Sequence, residues 1–166
     1  YSVGLFRYFN NVNVQDLNIE DANITSSEPR YNTNYAFLVG QATSTSSNII
    51  SNVSVSGTID FMAQSKHYLR VGGIAGNTYS YNFENCSADV TMSYSGIGDK
   101  TSFGGMVGLF EVTHGTNSIT NCKANFTLKD FTATGDVTFI PGDDRFSSRE
   151  YAIGGLIGRT QCATYS

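Results

Sequence analysis

The stretch Gly72-Gly73-Ile74-Ala75-Gly76 decides the reading of this chain, because variants of it recur along the whole length. The related blocks are Gly4-Leu5-Phe6-Arg7, Phe37-Leu38-Val39-Gly40, Gly104-Gly105-Met106-Val107-Gly108 and Gly154-Gly155-Leu156-Ile157-Gly158. Counted from Arg7 and then from the last glycine of each block, successive copies lie 33, 36, 32 and 50 residues apart. Self-similarity at a period of roughly 20–50 residues marks a stacked array, in which each unit buries its apolar face only against its neighbours.

A second block trails each of the first four. It reads Val12 to Leu17, Ile50 to Val55, Phe83 to Ala88 and Ile119 to Ala124. A weaker apolar patch follows at Ala22 to Ile24, Gly57 to Ile59, Val90 to Met92 and Phe126 to Leu128. Asn, Ser, Thr and Gly, the residues that turns prefer, fill the intervals. Each unit therefore offers about three strand-like segments. The unit bounds fall near 1–33, 34–68, 69–101, 102–150 and a partial 151–166, all in one repeat domain with an insertion at 129–150.

Helical three-four spacing of apolar residues is not sustained anywhere. Val, Ile, Thr, Tyr and Phe dominate the periodic segments, as strands favour. Val53-Ser54-Val55-Ser56 alternates as a strand buried on one face does. The consecutive apolar pairs Ile74-Ala75 and Met106-Val107 read as strands with both faces against protein. Equivalent strands stacked in parallel pair their backbones and bury a continuous core. The expected fold is all-β: a right-handed parallel β-solenoid of about four and a half coils, three short strands per coil, with a hairpin insertion in the last full coil. Handedness follows from the rule for parallel crossovers. The open ends of such a stack recruit other strands. The chain is therefore expected to be a processed product or a segment whose neighbours are further coils of a longer parent or identical subunits.

The 166 residues carry a net charge of −4, and only 14% of them are charged. Such a balance offers no basic stripe for phosphates and argues against nucleic acid. No apolar run approaches the ~18 residues that span a bilayer as a helix. Cys86 and Cys122 hold the same place in consecutive units. Stacked free thiols are the plainer reading, and a disulfide between adjacent rungs is the alternative.

The blocks Gly72 to Gly76 with Glu84-Asn85-Cys86-Ser87-Ala88, and Gly104 to Gly108 with Thr120-Asn121-Cys122-Lys123-Ala124, resemble the GLUG motif. That motif pairs a Gly-Gly-Leu-Val-Gly block with a later Asn-Cys block. The likeness covers nearly the whole chain, with Gly154, Gly155 and Gly158 continuing it; Arg7, Phe37 and Asn52-Val53 depart from it. The resemblance implies a secreted or surface-anchored bacterial protein. Some such proteins are adhesin-like, and others carry the non-catalytic solenoid region of IgA-specific metallopeptidases. No catalytic residue comes with the motif.

His67 and His114 are the only histidines, and neither has metal-ligand spacing, so both read as loop residues. A polysaccharide-cleaving β-helix is the enzymatic rival, resting on Asp143-Asp144 and His114-Gly115. Adjacent carboxylates on a strand point to opposite faces, which disfavours a catalytic pair. The expectation is a non-enzyme without a cofactor. Calcium at the acidic insertion, which holds Asp136, Asp143 and Asp144, is the alternative to a solvated loop. Tyr79 and Tyr81 lie close together and are candidates for a glycan-stacking platform, against the plainer reading of coil packing. Four Asn-x-Ser/Thr sequons occur, at Asn23, Asn52, Asn85 and Asn125. The repeated Asn52 and Asn85 are expected to bond backbone at a bend. The functional expectation is an extracellular structural or adhesive module presenting loops to a glycan or protein. The alternative is a subunit that polymerises end to end.

Overall fold

The computed structural model describes residues 1–27, 32–112, 117–133 and 150–162. Twelve strands are found there and no helix. They are β1 (Ser2–Val3), β2 (Phe6–Asn10), β3 (Val14–Ser26), β4 (Thr33–Tyr35), β5 (Val39–Gly72) and β6 (Ala75–Glu84). The second half supplies β7 (Ser87–Gly104), β8 (Val107–Val112), β9 (Ile119–Thr120), β10 (Lys123–Ala133), β11 (Glu150–Gly154) and β12 (Ile157–Cys162).

Every pairing among the described residues is parallel and joins like to like, so the chain is a parallel β-solenoid. One wall stacks β1, β4, the end of β5, the end of β7 and β11, through the ladder Ser2, Asn34, Arg70, Ser102, Ala152. A second wall stacks β2, the start of β5, β6, β8 and β12. The third stacks β3, the middle of β5, β7 and β10. Seven of the twelve strands are six residues or shorter, and five are longer. β5 runs 34 residues through all three walls, and its ladders shift register at the bends, between Thr43 and Asn48 and between Ala63 and Tyr68.

The glycine block is a corner, not a two-faced strand. Gly72 ends β5, Ala75 opens β6, and Gly73-Ile74 form the bend between them. Hydrogen bonds cross the corner from coil to coil: Phe37 N donates to Gly73 O (2.9 Å), Gly73 N to Gly105 O (3.1 Å) and Gly105 N to Gly155 O (3.1 Å). Ile74 is buried because the corner turns its side chain into the core. A Cβ on Gly73 would lie 2.6 Å from both Gly105 O and Val90 Cγ2, closer than real Cβ contacts come. The departure at Phe37 has a counterpart across the core. Register places Gly57 where the next coils have Val90 and Phe126, so the coil with a bulky corner residue has a bare wall position.

Inward columns form the core: Leu17, Val53, Cys86 and Cys122; then Ile19, Val55, Ala88 and Ala124; then Ile24, Ile59, Met92 and Leu128. Aromatics close the junction of the third and first walls. Tyr94 stacks on Phe131 at 5.5 Å and meets Phe103 edge-on at 5.4 Å, while Tyr35 meets Phe61 edge-on at 4.6 Å. Burial is deepest in the middle coils. In the first coil Leu5 remains 63% exposed, with Phe6 and Tyr8 also exposed.

The insertion begins later than its sequence suggests. Lys129 is a single-residue bulge, and Asp130 to Ala133 pair in register with Ser93 to Gly96. The ladder resumes where Glu150 pairs with Lys100. Positions 134–149, which hold most of the expected hairpin insertion and the acidic residues Asp136, Asp143 and Asp144, lie outside the described residues, as does His114.

Candidate functional site

The first four coils turn a second time at an asparagine or aspartate. Asp16, Asn52, Asn85 and Asn121 all adopt left-handed backbone, with φ between 51° and 55°. Asn and Asp enter that region at lower cost than other non-glycine residues. Their side chains bond to one another along the stack, not to backbone as the sequence suggests. Asn121 Nδ2 donates to Asn85 Oδ1 (2.7 Å), Asn85 Nδ2 to Asn52 Oδ1 (3.3 Å) and Asn52 Nδ2 to Asp16 Oδ1 (2.9 Å). All of these bonds run toward the first coil, and Asp16, an acceptor only, terminates the chain of donors.

Beside this bend, Cys86 and Cys122 stack as free thiols, Cys86 buried and Cys122 partly so. Cys86 N donates to Cys122 Sγ at 3.3 Å, and Cys86 Sγ lies 3.2 Å from Glu84 O and 3.3 Å from Ile50 O. Burial pushes the Cys86 thiol up to about 11. A thiol held protonated and shielded is a poor nucleophile and metal ligand. Among the described residues no group of three or more His, Cys, Asp or Glu is placed to hold a metal ion.

The two tyrosines of the glycan platform would share a face of a regular strand, but Ser80 between them is left-handed (φ 58°) and breaks the alternation of β6. Tyr81 is fully buried; its hydroxyl donates to Val12 O (3.0 Å) and accepts from Val12 N (3.2 Å), so it ties the third coil to the first. It is a packing residue, and the platform loses half its surface. Tyr79 is half-buried and belongs to a different cluster, with a hydrogen bond to Glu111 and the charge of Arg70 nearby.

That cluster sits in a crease where the outer faces of the first and second walls meet. The glycine corners bring the walls together: a Cβ on Gly76 would lie 2.7 Å from Tyr35 N and 2.9 Å from Asn34 Cβ. In the lower coils polar side chains fill the crease. Asn34 Nδ2 donates to Gln41 Oε1 (3.3 Å), and Arg70 Nη1 donates to Asn32 Oδ1 (2.6 Å) and Asn34 Oδ1 (3.3 Å). Higher up, the crease opens into a cavity of about 310 Å³ lined by Tyr68, Arg70, Ser102, Leu109, Arg159 and Gln161. Glu111 feels the charge of both guanidinium groups. Burial raises its carboxyl above the ordinary range, and Arg70, Tyr79 and Arg159 partly offset that. Two further hollows lie on the third wall. One, of about 450 Å³, is lined by residues such as Asn18, Glu20, Ser56, Asp89 and Lys123; the other, of about 290 Å³, lies around Met62.

The arginine cluster was missed in the sequence. Aligning units on the last glycine of each block puts Asn77, Leu109 and Arg159 in one column and Tyr79, Glu111 and Gln161 in another, but does not bring Arg70 beside them.

Residues 67–93 match the family model described as the GLUG motif. The matched stretch runs from the wall ahead of Gly72, through the glycine corner, Tyr81 and the Asn85-Cys86 bend, to Ser93. The chain thus contains a GLUG-motif repeat region, and the register lays its other units over the matched one. No curated protein and no solved structure matches the chain. Between the corner and the bend, one outward column of this chain changes from coil to coil, through Gln41, Asn77, Leu109 and Arg159.

Proposed function

We propose that this chain is a non-catalytic module of a bacterial surface protein, which acts outside the cell as a stiff stalk or adhesive segment. It winds right-handed in about four and a half coils and holds outward side chains and loops at rung spacing for a glycan or protein ligand. The observation that carries this reading is the like-on-like pairing that stacks all three walls over a shared apolar core. Repeat stacks of this sort offer extended surfaces for binding. No helix among the described residues is long and apolar enough to cross a membrane.

A second reading is favoured by the exposed first coil. Leu5, Phe6, Tyr8 and Val12 present apolar surface beside a parallel edge that pairs with no further strand among the described residues, which suits docking of a further coil or a second copy. Electron microscopy of the purified chain separates the readings: single short particles support the module, and fibres support polymerisation. A screen against neutral and acidic glycans tests the adhesive part. Hydrolysis of any polysaccharide in that screen, abolished by Asp143→Asn or Asp144→Asn, would overturn the non-catalytic reading.

A further inference from the structure

We propose that the crease between the first and second walls binds the anionic group of an acidic glycan, held between Arg70 and Arg159. The inference rests on the glycan-presenting reading above and names the ligand class and the residues.

The cavity is a gap in an otherwise filled seam. One coil below, Asn34 and Gln41 bridge the crease, and Arg70 is pinned by Asn32 and Asn34. Ser102 follows Arg70 in the first-wall ladder and Ala152 follows Ser102, both too short to reach across. Leu109 and then Arg159 stand opposite in the second-wall ladder. The result is a recess of about 310 Å³ with a guanidinium group at its lower side and another at its upper side. Arginine's planar donors suit carboxylate and sulfate oxygens, and a partly shielded site strengthens the attraction. Arg70, Arg159 and Glu111 together leave one positive charge in a chain whose net charge is −4.

The rest of the lining favours a sugar over an acidic peptide. Ser102, Gln161 and Tyr68 supply hydroxyl and amide groups, whereas Leu109 is the one aliphatic lining residue among those described. A peptide docking as an added strand needs an open backbone edge. Both walls of the crease are instead paired on either side, through β5, β7 and β11 and through β6, β8 and β12. Glu111 has a definite part in this arrangement. It lies near both arginines and lowers the net positive charge available to a ligand.

The test is calorimetric titration of the whole chain, at low salt and neutral pH, with oligogalacturonate, a heparin oligosaccharide and neutral maltooligosaccharide. Binding of the first identifies carboxylate as the recognised group, and binding of the second identifies sulfate. Arg159→Gln is expected to weaken the acidic ligand about tenfold or more, as loss of a charge-assisted pair does. Glu111→Gln is expected to tighten it severalfold, a gain that mere structural damage would not produce. The proposal is overturned if neither acidic oligosaccharide binds more tightly than the neutral one. It is equally overturned if both variants leave affinity unchanged, or if polyglutamate binds better than either acidic glycan. A neutral glycan that binds and is indifferent to both variants sinks this site while leaving the adhesive reading standing.

Discussion

The glycine corner at residues 72–76 and the asparagine bend at residues 84–86 turn the same coil by different physical means. At the corner, the approach of neighbouring backbone and of Val90 leaves no volume for a side chain at Gly73. At the bend, the backbone is left-handed and the side chain is the fastening, each amide donating to the rung before it. The corner is buried and intolerant of added volume. At the bend Asn85 is exposed, and its cost and reward are both single-residue terms. Within one repeat, sequence identity is therefore held at one place by exclusion and at the other by hydrogen bonding.

The largest effect is expected from breaking the corner. Gly73→Phe should lower stability by about 3 kcal/mol or more in urea unfolding, because backbone as well as side chains must shift. Adding Val90→Gly recreates the pairing of Phe37 with Gly57, so the double variant should be less destabilised than the sum of the singles by at least ~1 kcal/mol. Strict additivity would show that the two positions do not share volume.

Cys86, next to the bend but pointing into the core, should give a pH-dependent effect of intermediate size. Its thiol titrates near 9.0 when unfolded and at about 11 when folded. The stability it contributes is complete below pH 9 and is lost as pH rises through 11, because the unfolded chain releases its proton first. Denaturation followed across that window should slope downward in the native protein and more shallowly in Cys86→Ala.

Asn85→Ala should cost about 1–2 kcal/mol, from the left-handed backbone and the lost ladder bonds. Asn85→Gly should cost less, since only the side-chain bonds are lost. Equal losses would mean that the backbone conformation contributes nothing. The smallest change belongs to Asp16→Asn, which keeps an acceptor for Asn52 Nδ2 at an exposed site and should shift stability by less than ~0.5 kcal/mol.

Much of the scaffold was legible in the linear chain. Gly73 and Gly105, and Cys86 and Cys122, announce their equivalence by spacing, and the structure stacks them. The alternation at Val53 to Ser56 predicts its burial pattern. Tyr81 was not legible as a core residue, because its type suits both a platform and a buried clamp, and only the left-handed backbone at Ser80 turns it away from Tyr79. The bulge at Lys129 hid the continuation of β10 to Ala133, since one extra residue shifts the apparent pattern. Of the candidate site, the sequence held the residues but not their meeting. Arg70 and Arg159 belong to different walls and to coils separated by a third.

By itself, the sequence determined that this protein stacks like on like, because residues repeated at a near-constant period can satisfy their backbones and apolar faces only against the next copy. It also determined where the coil turns, since glycine and asparagine permit what other residues resist. The tertiary structure alone decided which outward columns face each other. The angle at the glycine corner comes from backbone packing between coils and folds the outer face of the first wall against that of the second. That closure turns a scatter of surface arginine, glutamate and tyrosine into one recess.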